Sequence, residues 1–479
     1  MFIIKYHNFF IRNVLTAFFF LFVIAGNAKS QDFDPVSLYL TWQNDPTTTM
    51  TIDWHTTPDD QDRKVVFQYK KKGDNTWFEI SSGAIHSFTF PYSDRMIHRV
   101  EIRFLEPDTE YRFKFGDNSR AYSFRTMPDD ITGRSIRFAT GGDTSHRDEW
   151  FRKVNQEVMK YEPDFILWGG DLSYANEEPT EYRVWEKWFE SIKETLVFDD
   201  GRVVPIVVAI GNHELFGERR LYREGHPLGA HDEDEAQAFM SKHNIWNGKP
   251  AYFQHLFAFP GDPTYGVLDF SNYMSVIALD TDHAEPVEGL QTVWLEEILK
   301  QRESQKHIFP VYHVPGYPSV RSYVWTTSTR VRENWVPLFS KAGVRVAFEN
   351  HDHSYKRTKP MLSGEIVEDG EGIVFIGDGA WGVGTRELRF IYVTIEEVCK
   401  YNIDPGKIQY VADFDLFIIE ARDLPDDYPS EFSADNIPYL ETFASERHAI
   451  IIDVSEDGAD FKTVNEDGEV IDTYYYVIE

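Results

Sequence analysis

Positive charge is scarce in this 479-residue chain. Against 79 Asp and Glu stand 48 Lys and Arg, for a formal net charge of −31. General binders of nucleic acid or of anionic membranes present basic faces to polyanions, so this balance argues against both roles. It does not exclude a small anionic ligand, because bound metal ions reverse the sign of the field locally. Cysteine is nearly missing as well, and Cys399 alone cannot form an internal disulfide. Beyond the first 25 residues no apolar run is long enough to span a bilayer, and no internal repeat or low-complexity tract stands out.

What is present is globular material: 42% hydrophobic and 15% aromatic residues, enough for packed interiors, in a chain long enough for two domains. Residues 1–30 read as a secretory signal. Lys5 and Arg12 provide the positive start, residues 14–25 are apolar apart from Thr16, and Ala28-Lys29-Ser30 offers small residues for cleavage. A run of that length falls short of the roughly 20 residues a membrane anchor needs. No membrane span is therefore expected after signal cleavage. Export without disulfides points to a secreted or periplasmic protein of bacterial type.

Residues 35–127 predict an all-β domain. Val100, Ile102 and Phe104 alternate with Arg99, Glu101 and Arg103, and Tyr111, Phe113 and Phe115 repeat the pattern after a proline-containing turn. About seven short strands of this kind predict a sandwich resembling fibronectin type III modules. Its Trp54 and Trp77 are expected to be core. From 135 the rhythm changes to apolar strands alternating with amphipathic helices, one of them at about 292–304. Strands around 136–139, 165–168, 203–210 and 276–279 run into Gly141-Gly142-Asp143, Gly169-Gly170-Asp171, Gly211-Asn212-His213-Glu214 and Asp280-Thr281-Asp282. Strands at 307–312 and 344–348 lead to His313 and to His351 with His353. Strand followed by polar loop is how an α/β domain gathers functional groups at one sheet edge. Residues 380–445 read as an acidic, irregular insertion, and the final thirty or so as closing strands.

Asp143, Asp171, Tyr174, Asn212, His313, His351 and His353 form a mixed nitrogen and oxygen donor set. That set suits iron, zinc or manganese rather than calcium. Seven donors are too many for one ion and right for two that share a carboxylate, for which the central Asp171 is the natural bridge. Alone, each cluster is a turn or a cap, and lone histidines such as His146, His231 and His283 read as structural.

The ordered series Gly-Asp, Gly-Asp-Leu-Ser-Tyr-Ala-Asn, Gly-Asn-His-Glu, Val-Tyr-His and Asn-His-Asp-His resembles the calcineurin-like metallophosphoesterases. Tyr174, three residues after Asp171, is similar to the purple acid phosphatase branch, as are Tyr265 to Phe270, Asp280-Thr281-Asp282 and Tyr355-Lys356-Arg357. The resemblance covers about 135–380, and the sandwich resembles that branch's amino-terminal domain. It implies a catalytic domain over 135–479 built as a two-sheet α/β/β/α sandwich. Asp143, Tyr174 and His353 would hold ferric iron, Asn212, His313 and His351 a divalent zinc, manganese or iron ion, and Asp171 would bridge. The implied activity is hydrolysis of small phosphomonoesters by a metal-activated hydroxide, with a phosphodiesterase, nucleotidase or phytase as alternatives. A relict, non-enzymatic surface binding protein is disfavoured by the retention of all seven donors.

His213 would face the substrate, bind phosphate and protonate the leaving group. Two departures stand out. Asn350 replaces the glycine that usually precedes the histidine pair, a change that asparagine's tolerance of left-handed backbone would accommodate. Ser322 and Tyr323 replace two histidines of the plant-type members, and the adjacent Arg321 is a candidate phosphate clamp, with a salt bridge as the plainer reading.

Overall fold

The computed structural model describes residues 33–478 apart from 61–65, 118, 177, 179–180, 216–250 and 262–263. The expected signal at 1–30, His231 and most of the loop after Leu215 lie outside the described residues.

The amino-terminal domain is a sandwich of two antiparallel four-stranded sheets. One has the order Ser37–Thr41, Met50–Thr56, Met96–Ile102, His86–Thr89; the other runs Phe78–Glu79, Gln68–Lys71, Glu110–Lys114, Tyr122–Arg125. Leu38, Leu40, Ile52, Trp54, Val100, Phe113 and Phe124 fill the space between them. Two expectations fail at its margins. Phe104 does not continue the alternation: the strand stops at Ile102, Phe104 turns at φ 60° and lies 96% exposed, and Leu105 goes inward instead. Trp77 is not core either. It lies half-exposed beneath the ammonium groups of Lys70 and Lys114, 5.0 and 4.7 Å from its ring centroid, a position where its face meets cations.

The second domain stacks two sheets between helices. The first sheet has the order Ile206–Val208, Phe165–Trp168, Ser135–Gly141, His448–Ser455, Gly458–Asn465, Val470–Val477. Its first three strands are parallel and its last three antiparallel. The second has seven strands, in the order Gly266–Phe270, Met274–Ala278, His307–Val311, Val346–Glu349, Val374–Gly377, Tyr355–Thr358, Leu440–Ala444, with the second to fifth parallel. Phe138 stacks on Phe165 at 4.8 Å and meets Phe309 edge-on at 5.7 Å, joining the sheets through an aromatic core. Helices Asp148–Met159 and Tyr182–Thr195 cover the outer face of the first sheet through Phe151, Trp185 and Trp188. Helices Leu290–Lys300, Thr326–Asn334 and Val336–Lys341 cover the second through Leu295, Val331 and Phe339. The layers are therefore α/β/β/α, and the parallel strands of both sheets send their carboxyl ends toward one edge.

The two domains share apolar contacts. Tyr39 stacks on Phe189 at 4.4 Å and donates its hydroxyl to the Leu256 carbonyl at 2.6 Å. The stretch 380–445 is not irregular. Phe390–Val393, Leu416–Glu420 and Gln409–Val411 form an antiparallel sheet, and a helix Ile395–Lys400, capped by Thr394, packs on it through Val398. Its strands are three to five residues long. Between them lie acidic and turn-forming residues, which hide so short a pattern. Among the described residues no helix is long and apolar enough to cross a membrane.

Candidate metal centre

Each candidate ligand follows a strand, and the backbone there is unusual. Asp143, Asp171, Tyr174, His351 and His353 all have positive φ, between 52° and 80°. Non-glycine residues occupy that region at a cost of order 1–3 kcal/mol each and collect at functional sites. Gly379, at φ +65°, lets the chain pass close to one of them, since a Cβ there would lie 1.8 Å from Asp143 Oδ2.

Six of the seven residues come together as two touching groups. In one, the Tyr174 hydroxyl donates to Asp143 Oδ1 at 2.9 Å and lies 3.3 Å from His353 Nε2, which is itself 3.0 Å from Asp143 Oδ1. In the other, His313 Nε2 is 3.1 Å from Asp171 Oδ2 and 3.0 Å from His351 Nδ1. The His351 backbone N–H donates to Asp143 Oδ2 at 2.8 Å and so joins the groups. Asn212 precedes His213, whose N–H donates to Asp171 Oδ1 at 2.7 Å.

Two observations bear on whether metal ions fit. Asn212 Oδ1 and His351 Nε2 are buried with no hydrogen-bond partner, a costly state that a cation would relieve. Asp171, Asp143, His313 and His351 are almost wholly buried together, so charge concentrated in this way needs compensation. Two carboxylates, a phenol, a carboxamide and three imidazoles match ions that accept both nitrogen and oxygen. Burial opposes ionisation of Asp171, but His313, His213 and His351 prevail and hold its carboxyl well below the usual range. For Tyr174, burial and Asp143 raise the phenol well above its ordinary value.

Supporting groups surround the loops. The buried Glu214 carboxylate accepts the backbone N–H groups of Asp171, Leu172 and Gly211, each at 2.8 Å, and burial and Asp171 raise it to about 8. His213 contacts the Asn176 amide oxygen through Nδ1 and lies 4.3 Å from the Tyr174 ring, with its side chain 22% exposed. Asn350 is not left-handed, contrary to the sequence-based account of that departure. Its amide instead fills the space above two glycines: a Cβ on Gly142 or Gly169 would lie 2.4 or 1.8 Å from it. Its Nδ2 donates to the Tyr312 carbonyl at 3.0 Å. Asparagine here clamps the two loop systems through its side chain.

Arg321 makes the salt bridge, Nη1 to Asp352 Oδ1 at 3.1 Å. Tyr323 is buried, donating to Asp413 Oδ2 at 2.6 Å. Three residues outside the expected donor set also reach the site, two of them the histidines read from sequence as structural. His146 meets the Tyr174 ring at 4.3 Å and is lowered to about 4 by burial and His353. His283 lies 5.6 Å from His313, lowered to about 3 by burial and His313. Arg386, from the stretch read as an insertion, places Nη1 3.4 Å from the His351 carbonyl. A signal for it exists, because Ile376-Gly377-Asp378-Gly379 repeats the strand-then-Gly-Asp pattern of the other loops.

Residues 35–126 match the family model of the purple acid phosphatase N-terminal domain, and residues 136–355 match that of the calcineurin-like phosphoesterases. Purple acid phosphatase 21 of Arabidopsis thaliana is 28% identical over 316 residues, 65% of this chain and 64% of that protein. Phosphoenolpyruvate phosphatase of Allium cepa is 24% identical over 335 residues, 68% of this chain and 63% of its own length. The chain thus spans less than two thirds of either relative. Two solved structures share the fold. A purple acid phosphatase from yellow lupin (Lupinus luteus) seeds superposes with a TM-score of 0.64 at 16% identity, over 92% of this chain and 74% of that one. PhoD gives 0.58 at 12% identity, over 94% of each.

Proposed function

Since the chain belongs to the calcineurin-like metallophosphoesterases, in the purple acid phosphatase-like branch, we propose that it is a two-metal phosphatase acting on small phosphomonoesters. The observation that carries this reading is the pair of touching donor groups, with Asn212 Oδ1 buried and unpartnered one residue before His213. Asp143, Tyr174 and His353 would hold one ion, Asn212, His313 and His351 the other, and Asp171 both. Ferric iron with a divalent zinc, manganese or iron partner is the proposed pair. Such a pair would supply Lewis acidity and an acidified water for ester hydrolysis.

The protein's own contribution is positioning and proton supply. Glu214 fixes the Asp171 and Gly211 backbones, so the loops are set before substrate arrives. Asn176 and Tyr174 hold the His213 ring on two sides, and its Nε2 lies 3.8 Å from Asp171 Oδ2. From there it donates to a phosphate oxygen or to the departing alkoxide. His146 and His283, kept neutral by burial, pack as apolar-faced walls against the donor residues. Export belongs to the same proposal and rests on residues 1–30 alone. Turnover of monoesters, diesters, nucleotides and phytate by purified protein, with elemental analysis, tests the reading. Preference for a diester would replace the monoester assignment, preference for phytate would narrow it to polyphosphorylated monoesters, and one bound ion or none after reconstitution would end the two-metal reading.

A further inference from the structure

Two guanidinium groups stand together beside the candidate metal centre, and of the two only Arg321 is in an ion pair among the described residues. Arg386 donates its backbone N–H to the His353 carbonyl at 2.9 Å, and its Nη1 reaches the His351 carbonyl at 3.4 Å. Among the described residues no carboxylate pairs with it. Arg321 is committed to Asp352, and its guanidinium lies 5.6 Å from the Trp325 ring, which stacks on His351 at 5.5 Å.

A half-buried arginine next to a second arginine is unfavourable without an anion. The cavity between them, about 470 Å³, is lined by Val320, Arg321, Arg386, Glu387 and Arg389. Glu387 is exposed, and Arg389 faces Glu420 at 3.3 Å. None of the seven candidate metal ligands lines this cavity, so it lies next to the centre rather than over it. Its volume leaves ample room for an acidic group together with the part of the ester that carries it.

We propose that Arg386, assisted by Arg321, forms an anion subsite for a second negatively charged group, carboxylate or phosphate, of the phosphate ester. The proposal rests on the phosphatase reading and names its substrate class: esters with a second anion beyond the scissile phosphate. Arg386 supplies the donors, because most of its fork is uncommitted and guanidinium binds carboxylate or phosphate bidentately. Arg321 supplies charge, since its donors are shared with Asp352.

Calorimetric titration of the purified protein with phosphonates, which are not hydrolysed, decides the matter. The probes are propylphosphonate, 3-phosphonopropanoate and propane-1,3-diphosphonate. Wild type is expected to bind at least one of the two doubly anionic probes about tenfold more tightly than propylphosphonate, and the better of them identifies the second group. Arg386→Gln is expected to reduce that preference to within about twofold. Should this variant not fold, Arg386→Lys carries the test, with an expected fall in preference of about threefold or more. Equal binding of all three probes by wild type overturns the subsite, as does equal weakening of every probe in the variant. So does a preference unchanged in Arg386→Lys when that variant carries the test. The titration needs no turnover, so absent hydrolysis would overturn the phosphatase reading separately, with the subsite still decided by binding.

Discussion

The Tyr174 hydroxyl donates to Asp143 Oδ1 at 2.9 Å across two loops of the same sheet, with His353 Nε2 within 3.3 Å of both. Three side chains of different type converge there, among them a phenol that burial would otherwise keep protonated. A ferric ion bound there would make ionisation of such a phenol favourable. Purified protein is therefore expected to contain close to two metal ions per chain, at least one of them iron, and to absorb visible light. Tyr174→Phe should abolish the band. A band that survives the substitution would show that this tyrosine is not a ligand.

Asp171 is placed to serve both groups. Its Oδ2 lies 3.1 Å from His313 Nε2, its Oδ1 accepts the His213 N–H, and the Tyr174 phenol feels its charge. Replacement by asparagine removes the charge that offsets repulsion between two cations. Asp171→Asn is expected to lose roughly tenfold more activity than Asn212→Ala at saturating metal. Comparable residual activities would contradict a shared carboxylate.

How much of this was legible beforehand follows from where each residue sits on the chain. Asp143, Asp171, Asn212, His313 and His351 come immediately after apolar strands, so period and position announced them together. The α/β class followed from the same rhythm, whereas the α/β/β/α layering was implied by the family resemblance. His146 and His283 carry no such signal, because a lone histidine becomes part of a site only through packing against a distant ring. Arg386 was hidden because it lies in the stretch read as an insertion, although the Gly377-Asp378-Gly379 turn preceding it matches the other loops. Trp77 and Phe104 failed because a strand pattern says nothing about where the strand stops.

Asn350 and Gly169 form a packing pair that can be broken and repaired. A Cβ at position 169 would lie 1.8 Å from Asn350 Nδ2, which is itself held by the Tyr312 carbonyl. Gly169→Ala is expected to destabilise the protein by about 1–3 kcal/mol, as overpacking does. Adding Asn350→Gly should recover part of that loss, giving a favourable coupling in a denaturation double-mutant cycle. Strict additivity would mean that the alanine strains something else.

His55 gives the domain interface a pH dependence. Its ring sits among Phe189, Phe90 and Tyr39 at 4.9, 5.4 and 5.6 Å, with both nitrogens buried and unpartnered. Burial, then Arg95, His98 and Arg99, hold it neutral well below its ordinary value. The unfolded ring takes up its proton near about 6.5, so stability from this residue is intact above that pH. Below it, stability falls by up to ~1.4 kcal/mol per pH unit. His55→Phe should flatten the decline of Tm between pH 6.5 and 5 relative to wild type. Parallel curves would assign the acid sensitivity to other groups.

The final prediction concerns the proton for the leaving group. With Ser322 and the buried, Asp413-bound Tyr323 where plant-type relatives carry histidines, neither position offers an imidazole. His213 does, with Asn176 against Nδ1 and its side chain partly open to solvent. Alkyl phosphates have poor leaving groups that need protonation, whereas nitrophenolate departs unaided. His213→Ala should therefore slow hydrolysis of an alkyl phosphate by about 10²–10⁴-fold, and that of nitrophenyl phosphate by far less. A ring that only orients the phosphate would be missed equally by both substrates, because orientation does not depend on leaving-group basicity. Equal losses would thus remove His213 as the acid. A pH–rate profile separates the cases further: as the acid, His213 must be protonated, so its removal should abolish the fall in alkyl phosphate turnover at rising pH.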